Sequence, residues 1–194
     1  MSKVFFTLGL VFFSFIGYAQ PEEGKQRLAA FNEKMADRYE EKYLNLKARD
    51  IGQLAETEFA DYAFYQLRGT DKVPNAFGKL HRHKLYVHHY AYESEYLLEN
   101  ALRFWFDNFV RNEQIRPGRT LRALDGATPL YIIVYGTNIV ILDVDCNGYT
   151  EELWKQLTAD ARAIFDPNKE AIIMELFCDG PLEWRQNAPN FRKR

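Results

Sequence analysis

All four histidines of the chain, His81, His83, His88 and His89, fall within the nine residues HRHKLYVHH. On a strand, alternate residues share a face, and a His-x-His pair can chelate zinc or another transition metal. His81 and His83 are therefore candidate metal ligands, with His89 on the same expected face and Glu93 and Glu95 close behind. Lys79, Arg82 and Lys84 flank the cluster, so a pH-responsive patch or a site for an acidic ligand is a second reading. The third is a solvated strand whose opposite face packs Tyr86, Tyr90 and Tyr92.

Asp143-Val144-Asp145-Cys146-Asn147-Gly148 follows the pattern D-x-D-x-N-G. Alternate side-chain oxygens there suit a hard cation, and glycine at the sixth position permits a sharp turn. The pattern resembles the first half of an EF-hand calcium loop over these six residues alone. Its twelfth position is Trp154, where the bidentate glutamate belongs, and a strand rather than a helix precedes it. What remains is a looser strand-loop-helix cation site from Asp143, Asp145 and Asn147, with Glu151 as an optional further ligand, or a plain Asn147-Gly148 turn with solvated aspartates.

Cys146 and Cys178 are the only cysteines, and each is the eighth residue of an apolar run, Ile139–Cys146 and Ala171–Cys178. If the two runs are parallel neighbours, both sulfurs lie at one level at the strand ends, within disulfide reach. The alternative is a pair of buried thiols. Asp179 joins Asp143 and Asp145 at that level, where open sheets often hold ligands. Arg111, Arg116, Arg119 and Arg122 crowd one turn-rich segment, which suits phosphate or carboxylate, or a charge-balanced loop.

Several chemistries are excluded. Beyond residue 19 the single serine, Ser94, lacks the glycines of a nucleophile elbow. There is no P-loop, no GxGxxG and no Cys-x-x-Cys. With 25 basic and 27 acidic residues the net charge is −2, so no general affinity for nucleic acid is expected. An apolar content of 47% argues against a disordered chain.

The elements that position these residues begin after a secretory signal. Lys3, the apolar stretch Val4–Ile16 and Gly17-Tyr18-Ala19 form its three regions, with cleavage expected after Ala19. The stretch is too short to span a bilayer, which takes about 20 residues. Export would place the cysteines in an oxidising compartment, periplasmic or extracellular.

Leu28, Phe31, Met35, Tyr39, Tyr43 and Leu46 recur at helical spacing and predict a helix over 22–48, followed by a second over 53–67. Residues 69–78 read as a loop, 84–92 as a strand, and 94–112 as a helix capped by Ser94. Gly136-Thr137-Asn138 predicts a hairpin between 131–135 and 139–146. Thr150 caps a helix over 151–165, and a strand runs over 171–178.

The fold expected is α+β: N-terminal helices packed on a mixed β-sheet ending in a β-β-α-β unit, its last two strands parallel. Residues 20–184 form one globular domain and 185–194 a polar basic tail. No membrane span is expected once the signal is removed. The function expected is a non-catalytic binding or interaction module for a protein or small-molecule ligand. The alternatives are a divalent-metal hydrolase, with calcium or zinc held by His81, His83, Asp143 and Asp145, and a structural envelope protein assembling through the helix at 22–48.

Overall fold

A computed structural model of the chain describes residues 20–42, 51, 54–75, 77–109, 127–146 and 148–187. Helix α1 spans Gln20–Met35 and buries Leu28, Phe31 and Met35 along one stripe. It ends thirteen residues short of the expected boundary at 48. Ala36 and Arg38 donate to the carbonyls of Glu33 and Met35, tightening the last turn. Tyr39 then opens strand β1 (Tyr39–Lys42) while remaining buried, so the helical spacing runs on into a strand. Tyr43 and Leu46 lie outside the described residues.

The helix expected over 53–67 is replaced by a short 3-10 turn at Leu54–Glu56 and strand β2 (Asp61–Gly69). Cross-strand rings supply the reason. Tyr62 lies 4.7 Å from the ring of Tyr90, and Phe64 lies 4.8 Å from His88. Aromatic pairs of this kind stabilise a sheet and override a weak helical preference. Strand β3 (Val73–Pro74) stands within the segment expected as a loop and pairs with β4 (Leu80–His81) just beyond it. Strand β5 (Lys84–Ala91) and helix α2 (Glu95–Phe109) follow as expected, with Ser94 Oγ accepting from Leu97 N.

Strands β6 (Leu130–Tyr135) and β7 (Asn138–Val144) form the expected hairpin about Gly136, whose φ is +49°. Helix α3 (Glu151–Phe165) starts at Thr150, whose side chain accepts from Leu153 N. Strand β8 (Ile172–Leu176) completes the β-β-α-β order. A further strand, β9 (Leu182–Gln186), takes in Arg185 and Gln186, the first two residues of the expected tail; residues 188–194 lie outside the described ones.

Among the described residues seven strands make one sheet in the order β1-β2-β5-β7-β6-β8-β9, and each of these pairings is antiparallel. The fold is α+β, but the sheet is not mixed. β7 and β8 run in the same direction, yet β6 lies between them and bonds to both, so they are not neighbours. Alternation gives the sheet two buried faces. Tyr90, Ile132, Ile139, Ile141 and Met174 pack with Leu98, Leu102 and Trp105 of α2. Val87, Ile133, Val140, Leu142 and Ile173 pack with Phe31 of α1 and Leu157 and Phe165 of α3. The result is three layers, with α2 on one face and α1 with α3 on the other. No helix among the described residues is long and apolar enough to cross a membrane.

Candidate functional site

The histidines do not lie on a solvated face. His83 is 6%, His88 0% and His89 1% exposed. Strand alternation separates the adjacent pair. His89, in step with Leu85 and Val87, faces α1, where its Nε2 donates to Asn138 Oδ1 at 2.9 Å. His88 faces the α2 side, with Nδ1 3.2 Å from the Tyr62 hydroxyl. Burial lowers the pKa of His89, against the effect of its Asn138 bond.

His83 sits edge-on between Tyr39 and Tyr149, ring centroids 5.1 and 5.0 Å away. Those two phenols share a 3.0 Å hydrogen bond, and burial holds the Tyr149 phenol well above its ordinary range. Burial lowers the His83 pKa too, with smaller contributions from His81 and Arg38. His81 stands apart in the β3–β4 ribbon, 3.1 Å through Nδ1 from the Val73 carbonyl.

Because β5 and β7 are bonded neighbours, the histidine and aspartate segments do meet at one end of the sheet. His88 shares a face with Asp143, but the candidate ligand His83 and Asp143 lie on opposite faces. Asp143 follows Ile139 and Ile141 toward the α2 side, is 1% exposed, and accepts from Thr128 Oγ1 at 2.9 Å. His83 belongs to the α1/α3 side with Tyr39. Asp145 lies beyond the strand end, its carbonyl accepting from Gly148 N at 2.8 Å. Asn147 lies outside the described residues, as do the four arginines at 111–122. Among the described residues no three His, Cys, Asp or Glu side chains are grouped to hold a metal. The set His81, His83, Asp143 and Asp145 is therefore not drawn into one centre.

Cys146 and Cys178 are joined by a disulfide, with Cα atoms 5.3 Å apart. Pairing arises by a different route from the one expected, since β6 separates the parent strands. Each cysteine lies two residues past its strand, where both loops fold over the chain entering β6. Cys146 Sγ approaches the Ala127 carbonyl at 3.5 Å, and Asp179 N donates to the same oxygen at 3.0 Å.

A concavity lies at the opposite end of the sheet, about the Gly136 turn. It is a cleft of about 600 Å³ between the first half of α2, the start of α1 and the end of α3. That volume lies within the range of small-molecule sites. Leu98, Leu102, Val134, Phe165 and Ile172 give it an apolar floor. Glu23, Glu95, Glu99, Asp166 and Glu170 surround this floor, against the single guanidinium of Arg27.

The charges are not equivalent. Arg27 is committed: Nη2 contacts Glu23 at 2.6 Å, Nη1 donates to the Phe165 carbonyl at 2.5 Å, and Cζ lies 4.9 Å from the Tyr135 ring centre. Asp166 is structural, accepting from Ala171 N at 2.9 Å and Gln186 Nε2 at 2.6 Å. Glu99 pairs with Arg103. Glu95 and Glu170 are exposed and have no ion-pair partner among the described residues. Beside them the buried Tyr135 hydroxyl has no hydrogen-bond partner among those residues, and burial raises its pKa.

None of this cleft follows from spacing in the sequence. Its walls come from residues 23–27, 95–102, 134–138 and 165–172, and only the turns at Gly136 and Asp166-Pro167-Asn168 were legible as turns. Comparison with known proteins finds no matching family model, no similar curated protein and no similar solved structure.

Proposed function

We propose that the protein is an exported, non-catalytic binding module whose cleft at Gly136 takes an organic cation with an apolar body, such as an alkylammonium group. The observation that carries this reading is the composition of the cleft: an apolar floor surrounded by five carboxylates and one already engaged arginine. An apolar floor rewards desolvation of an alkyl chain, while Glu95 and Glu170 attract its ammonium. Export is supported by the charged, apolar and small-residue pattern of residues 1–19, and by the disulfide, which suits an oxidising compartment.

Calorimetric titration with hexylammonium and with hexanol separates the two contributions. Hexylammonium is expected to bind saturably and more tightly than hexanol. The E95Q/E170Q variant should weaken the amine about three- to tenfold, as expected for two solvent-facing charge contacts, with little effect on the alcohol. Equal affinities for amine and alcohol, or no binding of either, would reject the reading. Export is read separately by N-terminal sequencing of the secreted protein, which should begin at Gln20.

A further inference from the structure

We propose that the β3–β4 ribbon is a docking element for an anionic lipid surface. Residues 70–83 connect the end of β2 to the start of β5, at the sheet end opposite the cleft. Within them β3 and β4 pair as a separate two-stranded ribbon outside the ladder of the seven-stranded sheet, tied to it at the base where His83 O accepts from Gly69 N of β2 at 2.9 Å.

Its tip is built to a definite shape. Asn75 Oδ1 accepts from Phe77 N at 3.0 Å and from Lys79 N at 2.9 Å, while Gly78 N donates to the Asn75 carbonyl at 2.9 Å. The apolar side chains at this tip point outward. Phe77 is 79% and Leu80 62% exposed, among the few large hydrophobic residues left in solvent. Gly78 stands clear of the rest of the molecule, since a Cβ placed there would meet nothing within 4 Å.

Charge identifies the partner. Lys72, Lys79 and Lys84 are exposed around Phe77 and Leu80, and Arg82 adds a fourth cation, paired at 3.1 Å with Glu40. Lys72 and Lys79 have no ion-pair partner among the described residues, and Asp71 is the only acid between residues 70 and 84. An aromatic and an aliphatic side chain framed by lysines match the two layers of an anionic membrane. Phe77 and Leu80 enter the acyl boundary while the ammonium groups remain among the headgroups. An acidic protein would use the lysines but has no comparable demand for an exposed Phe77 held on a hydrogen-bonded turn.

Sedimentation with lipid vesicles tests this. Protein purified as the producing cell leaves it is expected to sediment with vesicles containing phosphatidylglycerol and to remain in solution with pure phosphatidylcholine. Each lysine at an anionic surface contributes about fivefold, so K72E/K79E should lower partitioning at least 25-fold. F77S/L80S should lower it at least tenfold, for loss of the inserted apolar groups. Because these four side chains are exposed, both variants should keep the wild-type circular dichroism and melting temperature. No sedimentation with anionic vesicles at low salt overturns the proposal. Undiminished sedimentation of F77S/L80S also overturns it, and leaves a charge patch suited to an acidic protein.

Discussion

Gly24 of α1 lies directly against His89 of β5: a Cβ on Gly24 would fall 2.8 Å from His89 Nε2 and 2.5 Å from Asn138 Oδ1. Those two atoms are bonded to each other at 2.9 Å and are buried, so neither can yield without breaking the pair. Helix and sheet touch here because one residue has no side chain.

Gly24→Ala is therefore expected to destabilise the protein. Alanine would gain about 0.5–1 kcal/mol in an open helix, whereas overpacking costs about 1–3 kcal/mol. A net loss of about 1–2 kcal/mol should appear as a melting temperature lower by several degrees. A melting temperature equal to or above wild type would show that α1 can move away from His89.

Stability should fall on mild acidification. Burial lowers the folded-state pKa of both His83 and His89 below the ordinary 6.5. A depressed imidazole favours the neutral form when folded, so the unfolded chain binds more protons just below that pH. The contribution is complete above about pH 6.5 and is lost as pH falls through the folded pKa values. Urea unfolding at pH 7.5 and 5.5 should show the higher midpoint at pH 7.5, and His83→Gln should narrow the difference. An identical pH response in wild type and variant would remove His83 as a source.

The disulfide closes a loop with a sequence separation of 32. Chain entropy assigns such a loop about 3–4 kcal/mol of stabilisation. C146S/C178S should then melt about 10 °C lower, and thermal scans with and without reductant should differ similarly for the wild type. A change within 2 °C would mean that the contacts of both loops with Ala127 hold that end unaided.

Asp166 joins three separate segments, following α3 while its carboxylate holds Ala171 N and the Gln186 side chain of β9. It is 5% exposed, so Asp166→Ala strands the buried Ala171 N and leaves Gln186 Nε2 only its 3.0 Å bond to the Ala171 carbonyl, at about 1–3 kcal/mol. Hydrogen exchange should speed up first in β9 and at the cleft. Uniform loosening of the whole sheet would contradict a local tie.

Strong local signals read correctly in the sequence. Gly136 and Thr150 mark a turn and a cap that need no tertiary help, and the elements they begin stand where the pattern put them. Residues 53–67 fared otherwise. Their aromatic side chains find partners on β5, and only the folded sheet reveals whether Tyr62 and Phe64 follow a helix or a strand. The two cysteines were paired correctly although the position of β6 between their strands was not foreseen, because the bond depends on loops past the strand ends. The histidines look solvent-facing by composition. Burial of three of them depends on Tyr39, Tyr149, Asn138 and Tyr62, which no local pattern connects. The cleft, gathered from four distant segments, was illegible for the same reason.

The antiparallel register also fixes a direction. β5 leaves the ribbon at Lys84 beside the end of β7 and reaches the opposite end at Ala91, paired with Asn138 of the cleft. Eight extended residues cover on the order of 25 Å. A molecule standing on a surface by Phe77 would thus hold the mouth of its cleft about one strand length above it, turned to the surrounding fluid. Anchorage and capture would occupy the two ends of one rigid span, and neither would obstruct the other.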